Sequence, residues 1–186
     1  INFDITPSVF TYEFAKALSY EAERKEKVTK IHIKIDTGMS RIGFLAGENN
    51  EEIVDEIIKI SKLPYIEIEG IFSHFATSDE YDKSYTLLQY GRFMDVCNRL
   101  EEKGLNIPIK HICNSAGIMM YPEMHLDMVR PGVILYGMYP SDEVDKSRLD
   151  LIPAMTLKST ITHIKEVEPG RGVSYGKEYI TDKKTK

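Results

Sequence analysis

Five short stretches of this 186-residue chain place side chains able to hold charge or move protons beside residues that bend the backbone. In Ile31-His32-Ile33-Lys34-Ile35-Asp36 a period of two sets three isoleucines on one face and His32, Lys34 and Asp36 on the other. Thr37-Gly38-Met39-Ser40-Arg41 follows at once and puts a guanidinium just past the end of that run. Burying such a polar face is costly unless its charges are paired, so the pattern suits either the wall of an active site or a buried structural ion pair.

The next candidates are His74 and Asp79, in Ser73-His74-Phe75-Ala76-Thr77-Ser78-Asp79, where a strand-like run gives way to a loop. A lone histidine there is more often a satisfied core residue than a proton carrier, and it gains weight only from its company. Cys113-Asn114-Ser115-Ala116-Gly117 brings small residues to a helix start, where backbone N–H groups and the Ser115 hydroxyl can approach an anion. An ordinary N-cap explains the same Asn-Ser pair. Val129-Arg130-Pro131-Gly132-Val133 supplies an arginine and then a glycine that permits close approach of a ligand. In Gly172-Val173-Ser174-Tyr175-Gly176 a tyrosine stands between small residues, and spacing alone makes it a packing aromatic.

The elements that must position these groups show in the hydrophobic periods. Strand-like runs at 31–36, 66–75, 108–114 and 128–132 alternate with amphipathic helical patterns, the signature of βαβ units and a parallel sheet. A helix over 13–24 is expected to bury Phe14, Ala15, Leu18 and Ala22, and one over 51–61 to bury Ile53, Ile57 and Ile60. A third, over 84–103, carries Tyr90, Phe93, Met94, Cys97 and Leu100 and stops at Gly104. Four or five such steps match the second half of a (β/α)8 barrel, whose active sites sit at the C-terminal ends of the strands and whose phosphate sites often follow the last two. Residues 1–140 are therefore expected to form a partial barrel. The charged run 141–150 reads as a linker, and 151–186 as the beginning of a mainly β domain, alternating in strand fashion over 154–179 around Pro169-Gly170-Arg171-Gly172.

A net charge of −5, with Lys and Glu mixed along the chain, argues against a nucleic-acid-binding face. Two cysteines, Cys97 and Cys113, make no disulfide framework and suit small core positions in a reducing compartment. No run approaches the roughly 18 apolar residues that span a bilayer, so no membrane partner is expected and the cytoplasm is the expected location. A start at Ile1 without methionine and an end in Lys183-Lys184-Thr185-Lys186 read as a segment of something longer. No metal site is expected.

Together, Lys34-Ile35-Asp36-Thr37-Gly38-Met39-Ser40-Arg41-Ile42-Gly43 resembles the signature of the alanine racemase family. Ser73-His74-Phe75-Ala76, Asn114-Ser115-Ala116, the run from Val129 to Gly137 and Val173-Ser174-Tyr175-Gly176 follow in family order and approximate spacing, so the resemblance covers essentially the whole chain. It implies a barrel holding pyridoxal 5'-phosphate (PLP), a β domain after it, and a homodimer whose sites combine residues of both subunits. It also implies interconversion of L- and D-alanine, a source of D-alanine for peptidoglycan precursors, by two bases on opposite faces of the substrate. Under the resemblance Tyr175 is one base, reaching into the partner subunit's site, and His74 is bonded to that tyrosine and lies beside the cofactor. Arg130 faces the pyridine nitrogen, and Arg41 meets the cofactor's phenolic oxygen and the substrate carboxylate. Asn114, Ser115, Gly132 and Val133 surround the cofactor, with Ser115 and the two backbone amides on its phosphate. Lys34 is a structural lysine, often carbamylated, that braces Arg41. The lysine that carries the cofactor belongs near the end of the first barrel strand, upstream of this chain, so the chain alone is expected to be inactive. Alternatives are a PLP-binding barrel protein without racemase activity, and a racemase of serine or another amino acid; the tyrosine motif favours a racemase over a bare PLP barrel.

Overall fold

The alternation of apolar runs and amphipathic segments is realised as β1 (Ser8–Val9), α1 (Tyr12–Arg24), β2 (Thr29–Asp36), β3 (Phe44–Leu45), α2 (Glu51–Ser61), β4 (Ile66–Phe72), α3 (Ser84–Glu102), β5 (Ile109–His111) and α4 (Ser115–Met120). This is a computed structural model; it describes residues 1–186, which divide into two units, Ile1–Ala154 and Met155–Lys186. Within the first unit β1, β2, β4 and β5 lie side by side in chain order, every pair parallel, and β3 pairs with the end of β2. Parallel strands in chain order are the architecture of part of a (β/α)8 barrel. They lack the reversal of order that creates the crevice of a doubly wound sheet, so ligand-binding groups collect at the C-terminal strand ends instead.

The isoleucines of β2 do what their period requires. Ile31, Ile33 and Ile35 are fully buried, packed with Ile71 of β4, with Val54, Ile57 and Ile60 of α2, and with Phe93, Val96, Cys97 and Leu100 of α3. The three- and four-residue spacings of those helix positions make one stripe facing the sheet. Helix α1 is capped by Thr11, whose side chain accepts from the Phe14 N–H. The chain reverses after α3 at Gly104, with φ +85°, which glycine adopts without strain.

In the first unit four expectations need correction. Phe14 is 39% exposed, because the inward stripe of α1 runs through Ala15, Ser19 and Ala22, one position further round the helix. The run 66–75 stops as a strand at Phe72, and 108–114 pairs only over Ile109–His111. Residues 128–132 form no strand. They lie along the β5 segment through two backbone bonds, Asp127 N–H to Lys110 O and Arg130 N–H to Cys113 O, and Pro131 has no N–H with which to extend a ladder.

In the second unit β6 (Gly172–Val173) and β7 (Tyr179–Ile180) form an antiparallel hairpin, with one further bridge between Val167 and Thr185. Thr181 is buried and pins the turn, its hydroxyl donating to Glu168 O and accepting from Arg171 N–H. The strand alternation expected over 154–179 is realised only at this hairpin and the Val167 bridge. Residues 154–166 form no strand, and Met155, Leu157 and Ile161 are exposed, since a strand requires a paired neighbour to satisfy its backbone. No helix of the chain is long and apolar enough to cross a membrane.

Candidate active site

The polar face of β2 is buried with its isoleucines, Lys34 at 3% and Asp36 at 5% exposure, yet the two do not form an ion pair. Asp36 instead accepts the N–H groups of Gly38, Met39 and Ser40 on Oδ1, at 2.9–3.0 Å, and that of Arg41 on Oδ2 at 3.1 Å. Burial alone would raise this carboxyl, but the N–H groups of Gly38, Ser40 and Arg41 outweigh it and hold the pKa below the usual carboxylate value. The carboxylate thus winds residues 37–41 around itself and fixes the point from which Arg41 leaves the backbone. Arg41 is exposed. Lys34 donates to Ile35 O at 2.7 Å and lies over the Phe72 ring; no hydrogen bond joins it to Arg41. Burial, with help from the Arg130 and Arg41 cations, draws the Lys34 amine down to about 8.

Arg130 organises the opposite side. Its Nη2 lies 2.7 Å from Ser73 O, 3.1 Å from His74 Nδ1 and 3.2 Å from Ile112 O and donates toward all three, while Nη1 donates to His111 Nδ1. No carboxylate lies within ion-pairing distance of Arg130, and burial pulls its pKa to about 10, which still leaves it charged at neutral pH. Because an arginine only donates, His74 must accept at Nδ1 and therefore carries its proton at Nε2. Burial, followed by the charges of Arg130, Arg41 and Lys34, lowers His74 to about 4, so it is a neutral donor near pH 7.

At the start of α4, Asn114 is an N-cap as well as a candidate ligand. Its Oδ1 accepts from Gly117 N–H and from the Ser78 hydroxyl, both at 2.9 Å, tying the helix to the loop after His74. The Ser115 oxygen accepts the Gly132 N–H at 2.8 Å, so that amide is already used and the hydroxyl hydrogen remains to be given. Val133 opens a 3-10 turn, Val133–Tyr136, whose first N–H groups have no partner within the turn.

His74, Asn114, Ser115, Arg130, Gly132 and Val133 line one cavity of about 320 Å³. Asp79, noted from its place beside His74, lines it too; Arg41 does not, although its charge is felt at His74. No lysine lines the cavity. Tyr175 belongs to the other unit, where the β6–β7 hairpin holds it 98% exposed between Ser174 at φ +57° and Gly176 at φ +73°.

Two contributors are not evident from sequence. His111 sits in an unremarkable short strand, and Gln89 falls on the buried face of a helix that otherwise reads as apolar. Gln89 is fully buried and gives Nε2 to the Thr37 hydroxyl and to His74 O while accepting Ala76 N–H, so it joins the loop after β2 to the loop after β4. A fully buried amide in a helical stripe is the only local signal of such a role.

Residues 1–140 match the family profile described as alanine racemase, N-terminal domain, and residues 154–186 the one described as alanine racemase, C-terminal domain. The chain is 55% identical over 185 residues to an alanine racemase of Clostridium tetani, covering all of this chain and 47% of that protein. Among solved structures it is similar to the alanine racemase of Clostridium difficile 630, with 50% identity and a TM-score of 0.84 over 97% of this chain and 46% of the other. It is also similar to a histidine racemase from Leuconostoc mesenteroides subsp. sake, with 28% identity, TM-score 0.80 and coverage of 97% and 47%. The chain spans about half the length of the curated relatives it matches.

Proposed function

Given that the chain belongs to the alanine racemase family, we propose that the whole protein interconverts L- and D-alanine, using PLP and two bases on opposite faces of the substrate. The observation that carries this is the single cavity shared by His74, Asn114, Ser115, Arg130, Gly132 and Val133 at the strand ends, of a size usual for cofactor sites. Its donor set fits PLP. Arg130 Nε–H has no partner in the chain, the Ser115 hydroxyl and the Val133 N–H remain to be given, and a Cβ on Gly132 would stand 3.4 Å from Ser115 Oγ. When bound, PLP supplies an electron sink that acidifies the α-proton of an attached amino acid.

The chain's residues then divide the work. Ser115, held by Gly132, gives its hydroxyl to the phosphate together with the backbone amides at the start of the Val133 turn, and Asn114 keeps that helix start in place. Arg130 meets the ring nitrogen as a permanent donor. A guanidinium keeps its proton, so Arg130 would hold that nitrogen by donation without protonating it. Arg41 binds the substrate carboxylate and the phenolic oxygen from the loop that Asp36 shapes.

Tyr175 is one base, offered on an exposed hairpin and reaching the site of a partner subunit in a homodimer. His74, with its proton at Nε2, is a donor to the tyrosine oxygen. A neutral donor stabilises the phenolate and brings a group of ordinary pKa about 10 toward working range. The second base is a lysine that also carries PLP and lies outside these residues, so the 186-residue chain alone is expected to give no racemisation.

Tyr175→Phe in the full-length protein tests the assignment. Racemisation measured from both enantiomers should fall at least about a hundredfold, the scale of a lost acid–base catalyst; equal and undiminished rates in both directions would reject it. A second reading, a racemase of another amino acid, draws on the similarity to a histidine racemase, which shows that this fold is compatible with a different substrate. Racemisation of alanine, serine and histidine compared under one set of conditions separates the two.

A further inference from the structure

Behind Arg130, away from the cavity, Glu69, His32 and His111 stand in file. His32 Nδ1 and His111 Nε2 are 2.9 Å apart, and His32 Nε2 faces Glu69 Oε2 at 3.5 Å. The direction of each contact follows by elimination. Arg130 can only donate, so His111 Nδ1 accepts and the single N–H of a neutral His111 sits on Nε2, donating to His32 Nδ1. His32 is left with its own N–H at Nε2, toward the carboxylate. His111 stays neutral because burial, then the Arg130 charge, lowers it to about 3; His32 is lowered as well, burial outweighing the pull of Glu69. Lys30, 2.7 Å from Glu69, keeps that carboxyl below its ordinary pKa and hence ionised.

The backbone is built to permit this file. The β2–β4 register slips between Ile31 and His32, so that Ile31 pairs with Ile68 but His32 with Gly70, and Glu69 becomes the extra residue of a bulge beside His32. A Cβ on Gly70 would come within 2.5 Å of the His32 ring. Phe72 stacks on His111 with centroids 4.8 Å apart and planes within 1°, fixing that ring's plane.

We propose that Glu69, His32 and His111 are positioning residues that clamp the Arg130 guanidinium in one orientation and deliver to it, through two neutral rings, the counter-charge that it lacks nearby. Each ring that donates toward the carboxylate becomes a better acceptor at its other nitrogen, so the pull of Glu69 reaches Arg130 without a buried carboxylate beside the cofactor. The consequence for catalysis rests on the racemase reading; the bond directions do not.

The test uses the full-length, cofactor-loaded protein labelled with nitrogen-15 at histidine. Both His111 and His32 should be neutral with the proton on Nε2 across roughly pH 6 to 8. A proton on His111 Nδ1, or a doubly protonated ring, overturns the proposal. His32→Leu should lower kcat roughly tenfold, the value of one hydrogen bond, with KM for alanine unchanged and with the His111 tautomer no longer single. His32→Gln, whose amide oxygen can accept from His111, should restore most of the rate. An unchanged kcat and tautomer in His32→Leu would sink the clamp, and if that variant does not fold, the tautomers of the unaltered protein decide alone. A protein with the assigned tautomers but no racemisation supports the clamp and overturns the function. An active one with other tautomers overturns the clamp alone.

Discussion

Arg130 holds a positive charge among two neutral histidines and two carbonyl oxygens, and that arrangement sets what the nearby groups can do. His74 and His111 are depressed to about 4 and about 3 from an ordinary 6.5, so the folded state resists protons that the unfolded chain takes up. Such groups contribute stability that is complete above pH 6.5 and lost as pH falls through the folded values. The thermal midpoint of the full-length protein should therefore drop as pH goes from 6.5 toward 4, and His74→Asn should flatten that slope; a slope unchanged by the substitution would show that His74 is not its source. Lys34, at about 8, has a larger neutral fraction at pH 7 than an ordinary lysine, which is what reaction with carbon dioxide requires. As a carbamate it would be an anion near Arg41 in place of a third cation. Carbon-13 bicarbonate should give a carbamate signal that disappears in Lys34→Met, and its absence from the unaltered protein would leave Lys34 as a buried amine bonded to Ile35 O.

Among the elements, the ends of β2 and β4 are held by side chains rather than by further ladder. Asp36 closes the loop after β2 on four N–H groups, and Gln89 of α3 bridges that loop to the one carrying His74. Tyr85 and Arg92, on the same helix, donate to Gly38 O and Thr37 O, so α3 supports the rim along several of its turns. Gln89→Leu removes three bonds and leaves Ala76 N–H and His74 O without their protein partner. The expected cost is about 1–2 kcal/mol in denaturant unfolding, with a raised KM for alanine as the Arg41 loop loosens. A loss below about 0.5 kcal/mol would mean that the bridge carries no weight. Sequence shows α3 as an amphipathic helix, but a glutamine that joins two loops looks in one dimension like an intrusion on an apolar stripe.

For the whole molecule, the decisive matter is where Tyr175 acts, since its hairpin leaves it exposed. If it serves a partner's site, mixing Tyr175→Phe with Arg130→Gln subunits of the full-length protein creates hybrids with one doubly altered site and one intact. Random mixing should then restore about a quarter of the unaltered activity. No recovery, with hybrids demonstrated by mass, would place Tyr175 in its own subunit's site. The residues alone determine the alternation of strands and helices, the isoleucine face of β2 with its polar reverse, and the family order of the motifs, because these rest on covalent periodicities of two and of three to four. Tertiary structure alone decides that Asp36 binds backbone and not Lys34, that 128–132 is no strand, and that His32 and His111, 79 positions apart, meet behind Arg130. Those outcomes depend on a register slip and on packing between distant segments, and neither leaves a trace in the local pattern of either segment.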